Sequence, residues 1–131
     1  MAGSFLDSNV IIHFAGAGDH ANRAERLLKQ GGTISVQVLN EVTSVCRKKL
    51  GFSWREIDAV VERLMAALDV VPVTVATHEL SRRIAERYKL AFYDSALLAA
   101  ALIAECDIFW SQDLHDGLVI GERLTIRNPF A

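Results

Sequence analysis

At 131 residues the chain suits one domain that buries a core without disulfides or metals to staple it, and at 51% hydrophobic and 23% charged residues it is not a disordered chain. Its longest unbroken apolar run, Ala96 to Ala104, is far short of the roughly twenty residues of a membrane helix, and no Lys or Arg precedes Phe5, so neither membrane insertion nor export is expected. The formal net charge of −2, from 14 Lys and Arg against 16 Asp and Glu, argues against a nucleic-acid binder that works by bulk charge alone.

In chain order, Ser4-Phe5-Leu6 is a short apolar run that reads as a buried strand, and the polar triplet Asp7-Ser8-Asn9 reads as the turn into a short helix over Val10 to Ala15, stopped at Gly16 and Gly18. Ala21, Ala24, Leu27 and Leu28 recur at helical spacing opposite Arg23, Arg26 and Lys29, and Gly31-Gly32 closes that helix. Thr33-Ile34-Ser35 is β-leaning and predicts a second strand, followed by a helix over Val36 to Leu50 closed by Gly51. Ser53 and Glu56 have capping-box spacing ahead of a helix over Trp54 to Leu68. Val70-Val71-Pro72-Val73 predicts a third strand, at whose end or edge Pro72 must sit for want of an N–H. Thr77 is expected to cap a helix ending near Tyr88. The helix beginning near Tyr93 is apolar on every side, as a helix buried on most of its circumference must be. Cys106 to Ser111 and Leu124 to Arg127 complete a set of five strands. Strands alternating with helices predict an α/β fold, a three-layer α/β/α sandwich around a mostly parallel sheet, in a single domain over residues 1–131. Cys46 and Cys106 lie outside any C-x-x-C pattern and among apolar neighbours, so they read as small buried hydrophobes in a reduced, cytoplasmic compartment.

Four acids stand where chemistry is expected. Asp7 sits at the carboxyl end of the first strand, where open α/β sheets bind ligands, although Asp7, Ser8 or Asn9 could equally cap the helix that follows. Glu41, at about 100° per residue, falls about 40° outside Val45 on the rim of its helix's apolar arc, where a carboxylate can also snorkel to water; Gln37 lies one turn earlier. Asp94 opens the apolar helix, an expensive place for a carboxylate unless it is paired, bonded to a metal or stabilising the helix start. Asp113 follows the fourth strand, with His115 and Asp116 close by in solvent-facing roles. Four carboxylates at one sheet edge repel one another unless a hard divalent cation joins them. Mg²⁺ or Mn²⁺ suits oxygen ligands and metal-assisted hydrolysis of a phosphodiester, with no covalent nucleophile from the protein. Ser8, Asn9 and Ser111 could hydrogen-bond the ligand carboxylates. Two divalent cations on four acids would move the formal charge from −2 to +2. The basic clusters Arg23/Arg26/Lys29, Arg47/Lys48/Lys49 and Arg82/Arg83/Arg87/Lys89 read as solvated helix faces.

Phe5-Leu6-Asp7-Ser8-Asn9, Ile34-Ser35 with Glu41-Val42, Phe92 to Leu97 and Trp110 to Leu114 together resemble the PIN-domain nucleases, most closely the VapC-type toxins of bacterial toxin–antitoxin pairs. The resemblance spans nearly the whole chain and rests on four acids in order; Gln112 stands where an acidic residue is often found. It implies a Mg²⁺- or Mn²⁺-dependent endoribonuclease in which Asp7, Glu41, Asp94 and Asp113 are catalytic metal ligands, with Asp116 an occasional contributor. It also implies a homodimer silenced by a small antitoxin, the helices over Val36–Leu50 and Trp54–Leu68 being contact surfaces. Three alternatives remain open: an RNA-processing PIN nuclease without a toxin role, a silent interaction module, and a phosphotransfer domain with Asp7 as nucleophile. The last is disfavoured because Asn9 replaces the second Asp such phosphatases want and no Lys follows Lys89.

Overall fold

The computed structural model describes residues 3–16 and 18–131. Its strands are β1 (Ser4–Leu6), β2 (Thr33–Ser35), β3 (Asp69–Val71), β4 (Ile108–Trp110), β5 (Val119–Ile120) and β6 (Leu124–Arg127). Its helices are α1 (Ser8–Ala15), α2 (Ala21–Gln30), α3 (Val36–Lys48), α4 (Trp54–Ala67), α5 (Val75–Tyr88) and α6 (Phe92–Ile103). The sheet order is β3-β2-β1-β4-β6-β5, parallel throughout except for β5, which runs antiparallel to β6. Helices α1 to α4 pack among themselves and α5 packs along α6, which gives the α/β/α layering expected from the alternation of strands and helices.

The strands are two to four residues long, and most carry at least one fully buried side chain into the core. Phe5, Leu6, Ile34, Phe109 and Ile126 are fully buried. Phe5 and Phe109, register partners on β1 and β4, stack with ring centroids 5.3 Å apart and planes within 7°. Gly32 brings β2 in close. Its φ is +145°, and a Cβ there would lie 2.9 Å from Leu6 Cδ1 and 3.0 Å from the Ser4 carbonyl oxygen.

Several boundaries differ from expectation, each for a local reason. The first helix begins at Ser8, two residues early, because Asp7 supplies the extended residue ahead of it. The capping residue of α5 is Thr74 and not Thr77; Thr77 holds the third helical position and the two hydroxyls exchange bonds with each other's backbone N–H. The box at Ser53 and Glu56 forms as expected. Pro72 lies just beyond β3. Strand β5 was missed: two residues between turn-forming glycines carry no period long enough to read. Both cysteines are buried thiols, with burial the main cause pushing each above its usual titration range. No helix among the described residues is long and apolar enough to cross a membrane.

Candidate active site

The order β3-β2-β1-β4 means that the chain winds outward from β1 in one direction and then returns to β1's other side, so β1 and β4 flank the switch point. The crevice outside their carboxyl ends is where such sheets take ligands. Asp7 follows β1 directly, its N–H donating to the Trp110 carbonyl at 2.9 Å, and Ser111 follows β4. Asp7 is 4% exposed and Ser111 fully buried.

Asp7 precedes α1 in capping position, yet its carboxylate makes no cap bond. It turns to the crevice instead. Ser111 Oγ donates to Asp7 Oδ2 at 2.8 Å, Ser8 Oγ to Oδ1 at 3.3 Å, and Asn9 Nδ2 to Oδ2 at 3.3 Å. Asn9 ties both edges of the crevice together. Its Nδ2 also lies 3.3 Å from Ser111 Oγ and 3.2 Å from Asp113 Oδ2, so two amide protons serve three acceptors, while its Oδ1 accepts the Gln112 N–H at 3.1 Å. Gln112 is held in turn by His13, whose Nε2 lies 2.6 Å from Gln112 Oε1.

Burial pushes the Asp7 carboxyl up to about 6, against hydrogen bonds from Ser111 and the Ser8 backbone, with the Asp94 and Glu41 charges adding to the rise. The half-buried Asp94, in the first turn of α6, is raised by burial and then by Glu41 and Asp113. Glu41 is also half-buried and accepts a bond from Gln37 Nε2 at 3.2 Å; Asp113 is exposed. Asp7 thus feels the charges of Asp94 and Glu41, and Asp94 those of Glu41 and Asp113. No basic side chain answers them, since the one ion pair among the described residues joins Arg63 to Glu25. Asp116 has a different task, accepting the Asn128 N–H at 2.9 Å and pinning the segment after β6; His115 is exposed.

Uncompensated carboxylates and hydroxyls are the donor chemistry of a hard divalent cation. One further oxygen stands on the same edge: Ser35, at the end of β2, is fully buried and its Oγ has no partner among the described residues. In the sequence Ser35 belongs to the Ile34-Ser35 pair that helps carry the family resemblance but is not among the candidate site residues, although it carries the same signal as Asp7, a polar residue between a β-leaning run and a helix. As the side chains stand, no three of the described His, Cys, Asp or Glu residues form a group able to hold a metal ion. Asp7 and Asp113 share the Asn9 amide, Glu41 rests on Gln37, and Asp94 has no side-chain hydrogen bond among the described residues. Asp7 is fixed by its three donors.

The sequence profile of the PIN domain family matches residues 4–115, and the chain belongs to that family. No curated protein matches it. Among solved structures it is similar to a toxin–antitoxin complex from Klebsiella pneumoniae, at 19% identity over 96% of this chain and 97% of that one, with a TM-score of 0.73. It is similar also to VapC20 of Mycobacterium tuberculosis, described as a toxin that cleaves the sarcin–ricin loop, at 22% identity over 81% and 86% of the two chains and a TM-score of 0.68. DNA-bound VapBC from Salmonella typhimurium aligns at 20% identity over 98% and 99%, with a TM-score of 0.72. At these identities the likeness establishes the shared fold.

Proposed function

We propose that the chain is a metal-dependent endoribonuclease and the toxin of a toxin–antitoxin pair. The observation that carries this is the buried Asp7 carboxylate at the β1/β4 switch point, beside the charges of Asp94 and Glu41 and linked through Asn9 to Asp113, with no basic side chain paired to any of them among the described residues. Asp7, Glu41, Asp94 and Asp113 would hold Mg²⁺ or Mn²⁺. A cation there supplies charge neutralisation for the scissile phosphate and a water acidic enough to attack at neutral pH. Ser111, Ser8 and Asn9 keep Asp7 ionised and aimed, and Asn9 links it to Asp113 across the crevice. The hydrogen bonds matter because burial alone favours the protonated carboxyl, a poor ligand.

Membership in the PIN family and the folds of the VapC structures support the toxin assignment. On this reading the partners are an RNA substrate, a small antitoxin and a second copy of the chain, all in the cytoplasm.

Purified protein with RNA and Mn²⁺ should give defined fragments, and Asp7→Asn and Asp94→Asn should each cut at least about 100-fold more slowly. Undiminished cleavage by both variants, or full activity in excess chelator, would overturn the nuclease. Expression should arrest bacterial growth, with relief by the neighbouring antitoxin gene; growth unaffected by an active nuclease would point to RNA processing instead.

A further inference from the structure

Tyr93 is the most exposed aromatic residue of the described chain, at 65%, and immediately precedes Asp94. Phe92 packs against it edge-on with centroids 5.6 Å apart, and His78 of α5 lies 5.4 Å behind Phe92, so three rings step from α5 onto the start of α6. Tyr93 is the wall between two hollows. One, of about 330 Å³, is lined by Gln37, Asn40, Glu41 and Ser44; the other, of about 80 Å³, is lined by Val73, His78, Phe92 and Ala96 among others. No hydrogen bond holds the Tyr93 phenol among the described residues, and its one aromatic contact, with Phe92, leaves most of the ring exposed.

We propose that Tyr93, backed by Phe92 and His78, is the shelf on which a base of single-stranded RNA stacks beside the scissile phosphate. The proposal rests on the ribonuclease reading and names how that site grips its substrate. A base and its phosphate are joined through one ribose, so a nucleotide whose phosphate is joined to Asp94 and Glu41 through a bound cation would have its base in reach of the Tyr93 ring, which lines one hollow with Glu41 and adjoins Asp94 in the chain. Aromatic stacking is tolerant of sequence, while the amides of Gln37 and Asn40, which border the same hollow, offer donors and acceptors to base edges. An apolar protein face seated on Tyr93 would also cover Glu41, whose partner is the Gln37 amide, and burying a carboxylate so weakly compensated is costly. A nucleotide leaves that carboxylate facing solvent and cation.

The test compares wild type, Tyr93→Ala and Tyr93→Phe on a single-stranded RNA with a mapped cut, and on the same RNA made abasic at each flanking position in turn. Tyr93→Ala should lower kcat/KM about tenfold, the scale of one lost stack, with Tyr93→Phe close to wild type. One abasic substrate should cost wild type the same factor and cost Tyr93→Ala nothing more. Normal cleavage by Tyr93→Ala, or additive losses, overturns the shelf while leaving the nuclease standing. So does a changed oligomeric state of Tyr93→Ala with equal losses on every substrate, which would make the ring a contact between copies. Should wild type cleave no RNA, the nuclease reading fails by itself. The shelf is then judged by fluorescence anisotropy of a labelled RNA oligonucleotide, where Tyr93→Ala must bind about tenfold more weakly and equal binding refutes it.

Discussion

Asp7 is the residue on which function and stability oppose each other. Its carboxyl titrates near 6 in the folded protein against about 3.8 in an unfolded chain, so the fold prefers the protonated form. Stability from this group is complete below pH 3.8 and is lost as pH rises through 6; at neutral pH the ionised carboxylate costs about 3 kcal/mol. Asp7→Asn in chelator should therefore raise Tm by several degrees at pH 7.5, with the gap closing toward pH 4, as followed by circular dichroism. A variant less stable than wild type at pH 7.5 would contradict the burial argument. Ser111 acts on the same equilibrium from the other side, as the leading hydrogen bond that lowers the Asp7 titration. Ser111→Ala should shift the acidic limb of the cleavage profile to higher pH, whereas a uniform drop at every pH would mean a purely steric role. Asp7, Ser8 and Asn9 were visible in the sequence as a polar triplet after an apolar run, but whether the carboxylate capped α1 or turned to Ser111 and Asn9 was not. That depended on Ser111, 104 residues away.

Among the elements, the exposed helix ends are governed by local chemistry. The capping boxes at Ser53/Glu56 and Thr74/Thr77 bring helix starts to chosen residues using side chains three apart, which is why the first was legible outright and the second nearly so. Close approach of strands is a different matter. Gly31-Gly32 looked like a helix stop, and Gly31 does close α2, but Gly32 also lets β2 lie against β1 where a methyl would strike Leu6 and the Ser4 carbonyl. Gly32→Ala should cost roughly 1–3 kcal/mol in chemical denaturation, through both the contact and the positive φ. Because Asp7 begins one residue after Leu6, cleavage should fall with it. Unchanged stability would show that β2 can withdraw freely. One arginine on each of two basic helix faces is held locally: Arg47 lies over Trp54 at 5.1 Å and Arg23 over Trp110 at 5.8 Å, contacts that fix the guanidinium and leave its charge intact.

For the whole molecule, the sheet order decides where chemistry can occur. Placing β1 between β2 and β4 brings residues of positions 7, 9, 111 and 113 into one hydrogen-bonded network and sets Glu41 and Asp94 within its field. If a cation binds there, it binds the folded state alone and must stabilise it. Mn²⁺ at a hundredfold excess over its Kd should add about 2.7 kcal/mol to wild type, seen as a rise in Tm, and little to Asp7→Asn or Asp94→Asn. An equal rise in all three proteins would place the binding elsewhere.

The sequence alone determined the class of fold and the acids worth watching, because periodicity, caps and strand-end acids are patterns within a dozen residues. Alternation of strands and helices implied a parallel, helix-covered sheet but not its strand order, and the two-residue β5 left no trace. The tertiary structure decided what no local pattern holds: that Asn9 spans the crevice, that Asp116 serves the backbone at Asn128, that Ser35 joins the same edge, and that Tyr93 stands exposed beside Glu41. Hydrogen bonds and carboxylate fields act over a few ångströms of space, and only the winding of the sheet turns a separation of a hundred residues into that distance.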